Sequence, residues 1–136
     1  MQILYYFKEQ NSYMYQWQRI HIFNELQHSD ININVFNPLH YDNNENLIKS
    51  FTEYISNNSV DMFMTCHGDA IIQDEILPII KKKGIPSLLI CYDNLHAPYL
   101  HKDIAKYFDL VWLTSIETKY MFQFRHLLIC DNYQPW

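Results

Sequence analysis

The sequence predicts a Rossmann-like three-layer α/β/α domain on a mainly parallel sheet of five or six strands. Apolar β-branched and aromatic runs alternate about five times with stretches of helical period. The strand-like runs are almost continuously apolar, as strands covered on both faces must be. Parallel strands can return only through long crossover connections, and the helical stretches between the runs supply them.

Strands are expected at Ile3–Phe7, Ile33–Phe36, Val60–Thr65, Ser87–Cys91, Leu110–Thr114 and His126–Cys130, each beside a polar break. A first helix over Tyr13–Gln27 carries apolar residues around most of its circumference. The second is sharper: Leu47, Ile48, Phe51, Tyr54 and Ile55 share one face at 3.6 residues per turn. In the third, Ile72, Ile76, Ile79 and Ile80 form a stripe opposite Asp74, Glu75 and the lysines, and Gly84 then Pro86 stop the helix. Lysines in that last turn favour the helix dipole. Pro78 inside it predicts a kink or a restart, because an interior proline costs about 3 kcal/mol. Thr114 and Glu117 fit a capping box, which predicts a strand running directly into a helix through Phe124.

The chain has 136 residues, 49% hydrophobic and 18% charged, with two glycines and five prolines, a composition of ordinary globular domains. At this length folding buries roughly two-thirds of the unfolded chain's surface, so one domain can support itself without disulfides or a structural metal. The formal charge is −5 and the longest basic run is Lys81-Lys82-Lys83, so no footprint for a phosphate backbone exists and nucleic acid is not an expected partner. Met1 leads directly into the first strand without a secretion signal, and the apolar run Ile85–Tyr92 is far short of a membrane span of about 20 residues. Three widely spaced cysteines, Cys66, Cys91 and Cys130, fit reduced thiols. The expected compartment is therefore the cytoplasm, with no membrane span.

Ligands of open parallel sheets bind outside the carboxyl ends of the strands, which directs attention to Lys8–Ser12, Cys66–Asp69, Tyr92–His96 and Thr114-Ser115. Neither G-x-G-x-x-G nor G-x-x-x-x-G-K-[ST] occurs, so self-contained dinucleotide or P-loop nucleotide binding is excluded. A receiver domain needs acidic residues where the first strand ends, and here it ends in Phe7-Lys8. Cys66, His67 and Asp69, with Cys91, His96 and Cys130 on the same sheet edge, have the side chains of a metal or thiol cluster. They read more simply as small thiols filling strand ends and a polar loop histidine, and no closely spaced cysteine pair supports a metal. Gly68 permits a close backbone approach or a positive-φ turn. Asp93, Asn94 and His96 form the densest polar group: they suit hydrogen bonding to hydroxyls and proton transfer, or equally an Asx turn closing the strand. Of Tyr13, Trp17, Tyr41, Tyr99 and Trp136, only Tyr99 stands in a proline-flanked loop suited to stacking on a sugar.

Taken in order, several segments resemble the N-terminal domain of CgeB-like glycosyltransferases, the spore maturation protein type of the GT-B group. They are Gln2-Ile3-Leu4-Tyr5-Tyr6, Val60–Thr65 leading into Cys66-His67-Gly68, and Lys82-Lys83-Gly84-Ile85-Pro86 leading into Leu88–Asn94. The strand Phe108–Thr114 and the closing Asn132-Tyr133-Gln134-Pro135-Trp136 complete the set. The resemblance spans nearly the whole chain and implies one half of a GT-B fold. Residues 1–131 would be the acceptor-side domain and 132–136 the start of the crossing into a C-terminal donor domain absent from this chain. It implies that a nucleotide-sugar donor binds that second domain, a sugar acceptor binds this one, and no metal or other cofactor is needed. Asn11, Ser12, Gly68, Asn94, His96 and Tyr99 become acceptor-side candidates, and Asp93 or His67 the candidate base. The loop after the first strand lacks the glycine that many GT-B enzymes place there.

Two rival readings differ in class. A free-standing ligand-binding or interaction module would be monodisperse, whereas a severed half would expose Tyr133 and Trp136 and tend to self-associate. A thiol or metal enzyme would depend on Cys66, His67 and Cys91.

Overall fold

A computed structural model describes residues 1–10, 12–66, 72–91 and 104–113. Five parallel strands, β1 (Gln2–Tyr6), β2 (Asn32–Phe36), β3 (Met62–Cys66), β4 (Ser87–Cys91) and β5 (Leu110–Leu113), form one sheet in the order β2-β1-β3-β4-β5. The helices α1 (Tyr13–Gln18), α2 (Glu25–His28), α3 (Asn44–Asn57) and α4 (Ile76–Lys82) supply the covering layers. The α/β class and the parallel sheet are those the sequence predicts. The expected sixth strand at His126–Cys130, the helix through Phe124 and residues 132–136 lie outside the described residues.

Strand alternation sends successive side chains to opposite faces, and the two cores divide accordingly. Leu4, Tyr6, Phe63 and Leu89 face Phe51 and Ile55 of α3 and Ile76 and Ile80 of α4. Ile3, Tyr5, Phe7, Met64 and Ile90 face Ile22 and Phe23 of the first helical segment. Phe51 touches Phe36 and Phe63 edge to face, with centroids 5.0 and 6.0 Å apart, so it joins α3 to two strands. Its complete burial makes Phe51→Ala a change costing about 3–5 kcal/mol.

Local sequence explains each helix. Asn43 caps α3, its Oδ1 accepting from Asn46 N at 2.9 Å, and Leu47, Phe51 and Ile55 follow at intervals of four on the buried face. The expected Pro78 problem is resolved by where α4 begins: Ile76 is its first residue, so Pro78 sits in the first turn, where its missing N–H would have no intrahelical partner anyway. Ile72, buried, stands just before this start. Gly84 closes α4 at φ +67°, with Gly84 N bonded to Lys81 O and Ile85 N to Ile80 O, the paired bonds of a Schellman ending. Asp30 does the same work after α2 at φ 57°, and Ile31 N reaches Leu26 O at 3.2 Å.

The first helix departs from expectation. It runs from Tyr13 to His28, but Arg19–Asn24 are wound as a π-helix between α1 and α2. The wider turn brings both Ile22 and Phe23 onto the sheet, where Phe23 meets Tyr5 and Phe7 at 5.1 and 5.8 Å. Tyr13 and Ile20 are left facing solvent. That division accounts for the apolar residues on all sides in the sequence.

Side chains stitch the amino edge of the sheet to neighbouring backbone. Asp61 Oδ2 accepts from Gln2 N at 2.7 Å while Asp61 N donates to Gln2 O at 2.9 Å. Gln2 Oε1 accepts from Asn32 Nδ2 at 2.7 Å. Asp109 Oδ2 accepts from both Ser87 N and Ser87 Oγ at 2.8 Å, and Asp109 N donates back to Ser87 Oγ at 3.2 Å. Thus β2, β1 and β3 are held in register by one set of contacts, and β4 and β5 by another.

Candidate functional site at the carboxyl edge

The strand order fixes where a ligand crevice opens. From β1 the chain steps outward to β2 on one side and then crosses to β3 on the other, so the switch lies between β1 and β3. Lys8–Ser12 follows β1, and the segment Cys66–Asp69 singled out in the sequence follows β3, with residues 67–69 outside the described residues.

In the first of these loops, Phe7 continues the strand, its N–H donating to Phe36 O at 3.0 Å. Its ring stacks between Tyr5 and Tyr15, at 5.2 and 5.7 Å. Lys8 and Glu9 are half-buried and Gln10 is exposed. The Tyr15 hydroxyl donates to Glu9 Oε1 at 3.4 Å, which tethers the carboxylate to the helix behind it. Ser12 is the N-cap of α1: its Oγ accepts from Tyr15 N at 3.2 Å, and its own N–H donates to Gln10 O at 2.8 Å. Of the site residues named from the sequence, Ser12 alone is described. Asn11, His67, Gly68, Asp93, Asn94, His96 and Tyr99 lie outside the described residues.

The loop after β2 adds a polar pair that the sequence reading passes over. Asn37, buried at the strand end, accepts from Leu39 N through Oδ1 at 3.0 Å and so starts the short 3₁₀ turn Pro38–His40. Its Nδ2 lies 3.3 Å from His40 Nε2, within hydrogen-bond distance. Asn-Pro after an apolar run is the sequence signal for such a turn. Of the aromatic residues other than Tyr99, Tyr41 lies flat on Phe36 at 5.2 Å and belongs to the core. Trp17 packs on His21 at 4.7 Å, on the outer side of the first helix.

The cysteines close β3 and β4. Cys66 and Cys91 are buried and not disulfide-bonded, and burial, then the neighbouring Cys66, pushes the Cys91 thiol far above its ordinary range. A thiol held protonated is a poor nucleophile near neutrality, which weighs against Cys91 as an attacking thiolate. Among the described residues, no three His, Cys, Asp or Glu side chains gather as a metal site would require. No described helix is long and apolar enough to cross a membrane.

No protein-family model matches the chain, and neither a curated protein nor a solved structure is significantly similar to it.

Proposed function

We propose that the chain is a ligand-binding α/β domain working at the carboxyl edge between β1 and β3, and more finely the acceptor-side domain of a GT-B glycosyltransferase. The observation that carries the coarser reading is the switch in strand order between β1 and β3, the point at which open parallel sheets bind their ligands. The finer reading rests on the ordered segments that resemble the CgeB-like group. The absence of a phosphate-cradling glycine loop agrees with an acceptor role, because the nucleotide would then be held elsewhere. In this reading the acceptor hydroxyl lies among the loops after β1, β3 and β4, with Asp93 or His67 as its base. A separate donor domain offsets the leaving phosphate.

One observation favours a second reading, a self-contained module without chemistry. The order β2-β1-β3-β4-β5 is that of single-domain flavodoxin-like folds, which bind small ligands at the same switch point without a partner domain.

The mass of the native protein in its source cells, set against the 16.5 kDa of this chain, separates the two. A mass more than twice as large supports the transferase reading, and Asp93→Asn in that intact protein should then lower turnover at least about tenfold with little loss of stability. A native mass near 16.5 kDa would remove the donor site and leave the module.

A further inference from the structure

We propose that the groove between α4 and the helical turn ending at Tyr107 is a second binding site, for a small monoanion with an apolar body such as an aliphatic carboxylate. Its volume is about 640 Å³, within the roughly 300–1,000 Å³ of small-ligand sites. Ile72 and Leu77, both buried, and the half-buried Ile104 supply an apolar floor, and the exposed Pro78 and Tyr107 form its walls.

Charge decides the class of ligand. Lys81 and Lys82 line the groove one helical turn beyond Leu77 and Pro78, on the same two rows of α4. Their alkyl stems extend the apolar floor while the ammonium groups reach water. No carboxylate among the described residues pairs with either. Lys83 follows them, and Lys106 lies over the Tyr107 ring at 5.0 Å, so the same end carries further positive charge. On a chain of formal charge −5 this is a local inversion of sign, which draws an anion to this groove and away from the rest of the surface. Asp74 lines the opposite end, on the order of 10 Å away along the chain axis, and repels a second negative group there. The ligand is thus a monoanion, its head at the lysines and its tail over Leu77 toward Ile72.

The site does not depend on the carboxyl-edge reading. α4 runs back from β3 to the start of β4, so Lys81 and Lys82 stand at the amino edge of the sheet.

The test is a titration of the whole chain with octanoate, octylammonium and 1-octanol, followed by amide NMR shifts. Octanoate should shift Leu77, Lys81 and Tyr107 saturably and bind more tightly than either other probe. Lys81→Gln with Lys82→Gln should weaken it about tenfold, and Lys49→Gln on α3 should not. Raising the salt from about 0.05 to 0.5 M should weaken octanoate binding to the unaltered chain, a check that needs no variant. Equal binding of octylammonium or octanol, an unchanged affinity in the double variant or in high salt, or no saturable shift would each overturn the proposal.

Discussion

The Tyr5 hydroxyl donates a hydrogen bond to Gln18 Oε1 within the apolar layer between the sheet and the first helix, and both side chains are enclosed. A polar contact in such a place fixes the rotation of the helix at the point where its winding changes from α to π. Tyr5→Phe should cost about 1–3 kcal/mol by stranding a buried acceptor. Adding Gln18→Met should cost less than the sum of the single changes, and a double-mutant cycle in urea measures the difference. Strict additivity would mean that the contact carries no coupling.

Asp109→Ala should destabilise by about 1–3 kcal/mol, because it leaves the buried Ser87 N–H and hydroxyl without their acceptor. Asp109→Asn, which keeps one acceptor oxygen, should lose less. Chemical denaturation of both variants gives the comparison, and equal losses would show that shape rather than the bond matters.

The two left-handed residues should respond in opposite directions. Nothing lies within 4 Å of a Cβ added at Gly84, so Gly84→Ala meets only the backbone penalty of φ +67°, about 1 kcal/mol. Asp30→Gly relieves a similar penalty at φ 57° and should gain about 0.5–1 kcal/mol. Thermal melts decide it; a loss of stability in Asp30→Gly would mean that the aspartate side chain contributes more than its backbone costs.

Alkaline pH should unfold the protein through Tyr6 and Cys91. Burial pushes the Tyr6 phenol up to about 12, against about 10 in an unfolded chain. Between those values the native state keeps a proton that the unfolded state has released, so this contribution is intact below about pH 10 and is lost up to about pH 12. The slope approaches about 1.4 kcal/mol per pH unit. Cys91 is shifted in the same direction and adds its loss from about pH 8.5 upward, where an unfolded thiol ionises. Urea midpoints from pH 8 to 12 test this, and Tyr6→Phe should flatten the upper part of the curve.

Ser12→Ala should cost about 1 kcal/mol, the worth of an N-cap, since its Oγ is engaged by Tyr15 N. If Ser12 also binds acceptor, ligand affinity measured on the folded variant should fall as well. Unchanged affinity would confine Ser12 to capping.

The inner strands were legible because buried parallel strands admit almost no polar residue, so Ile3–Phe7 and Ser87–Cys91 stand out from their flanks, while the edge strand β2 shows the alternation of a half-covered one. Helix α3 was legible for the complementary reason, one wet face and one dry. The first helix was harder: its apolar Tyr13 and Ile20 face solvent while the polar Gln18 is buried with Ile22 and Phe23, so hydrophobicity alone does not mark the face. At the carboxyl edge the loops could be located, but not the partners of their side chains. Glu9 with Tyr15 is set by how the helix packs. Asn37 with His40 is built by a turn that the strand pattern does not encode.

The stitching of the amino edge by Asp61, Gln2 and Asn32, and by Asp109 and Ser87, divides the labour of the molecule between its two ends. Side chains beyond the strand ends do this aligning at the amino rim, whereas toward the carboxyl rim the aligning bonds, Thr65 Oγ1 to Tyr6 O and Phe7 N to Phe36 O, stay within the strands and their first continuation. The short stretch Lys8–Gln10, between the core residue Phe7 and the cap at Ser12, should therefore be exchangeable for unrelated residues while the scaffold stays folded, which makes the domain a chassis for selecting new binders.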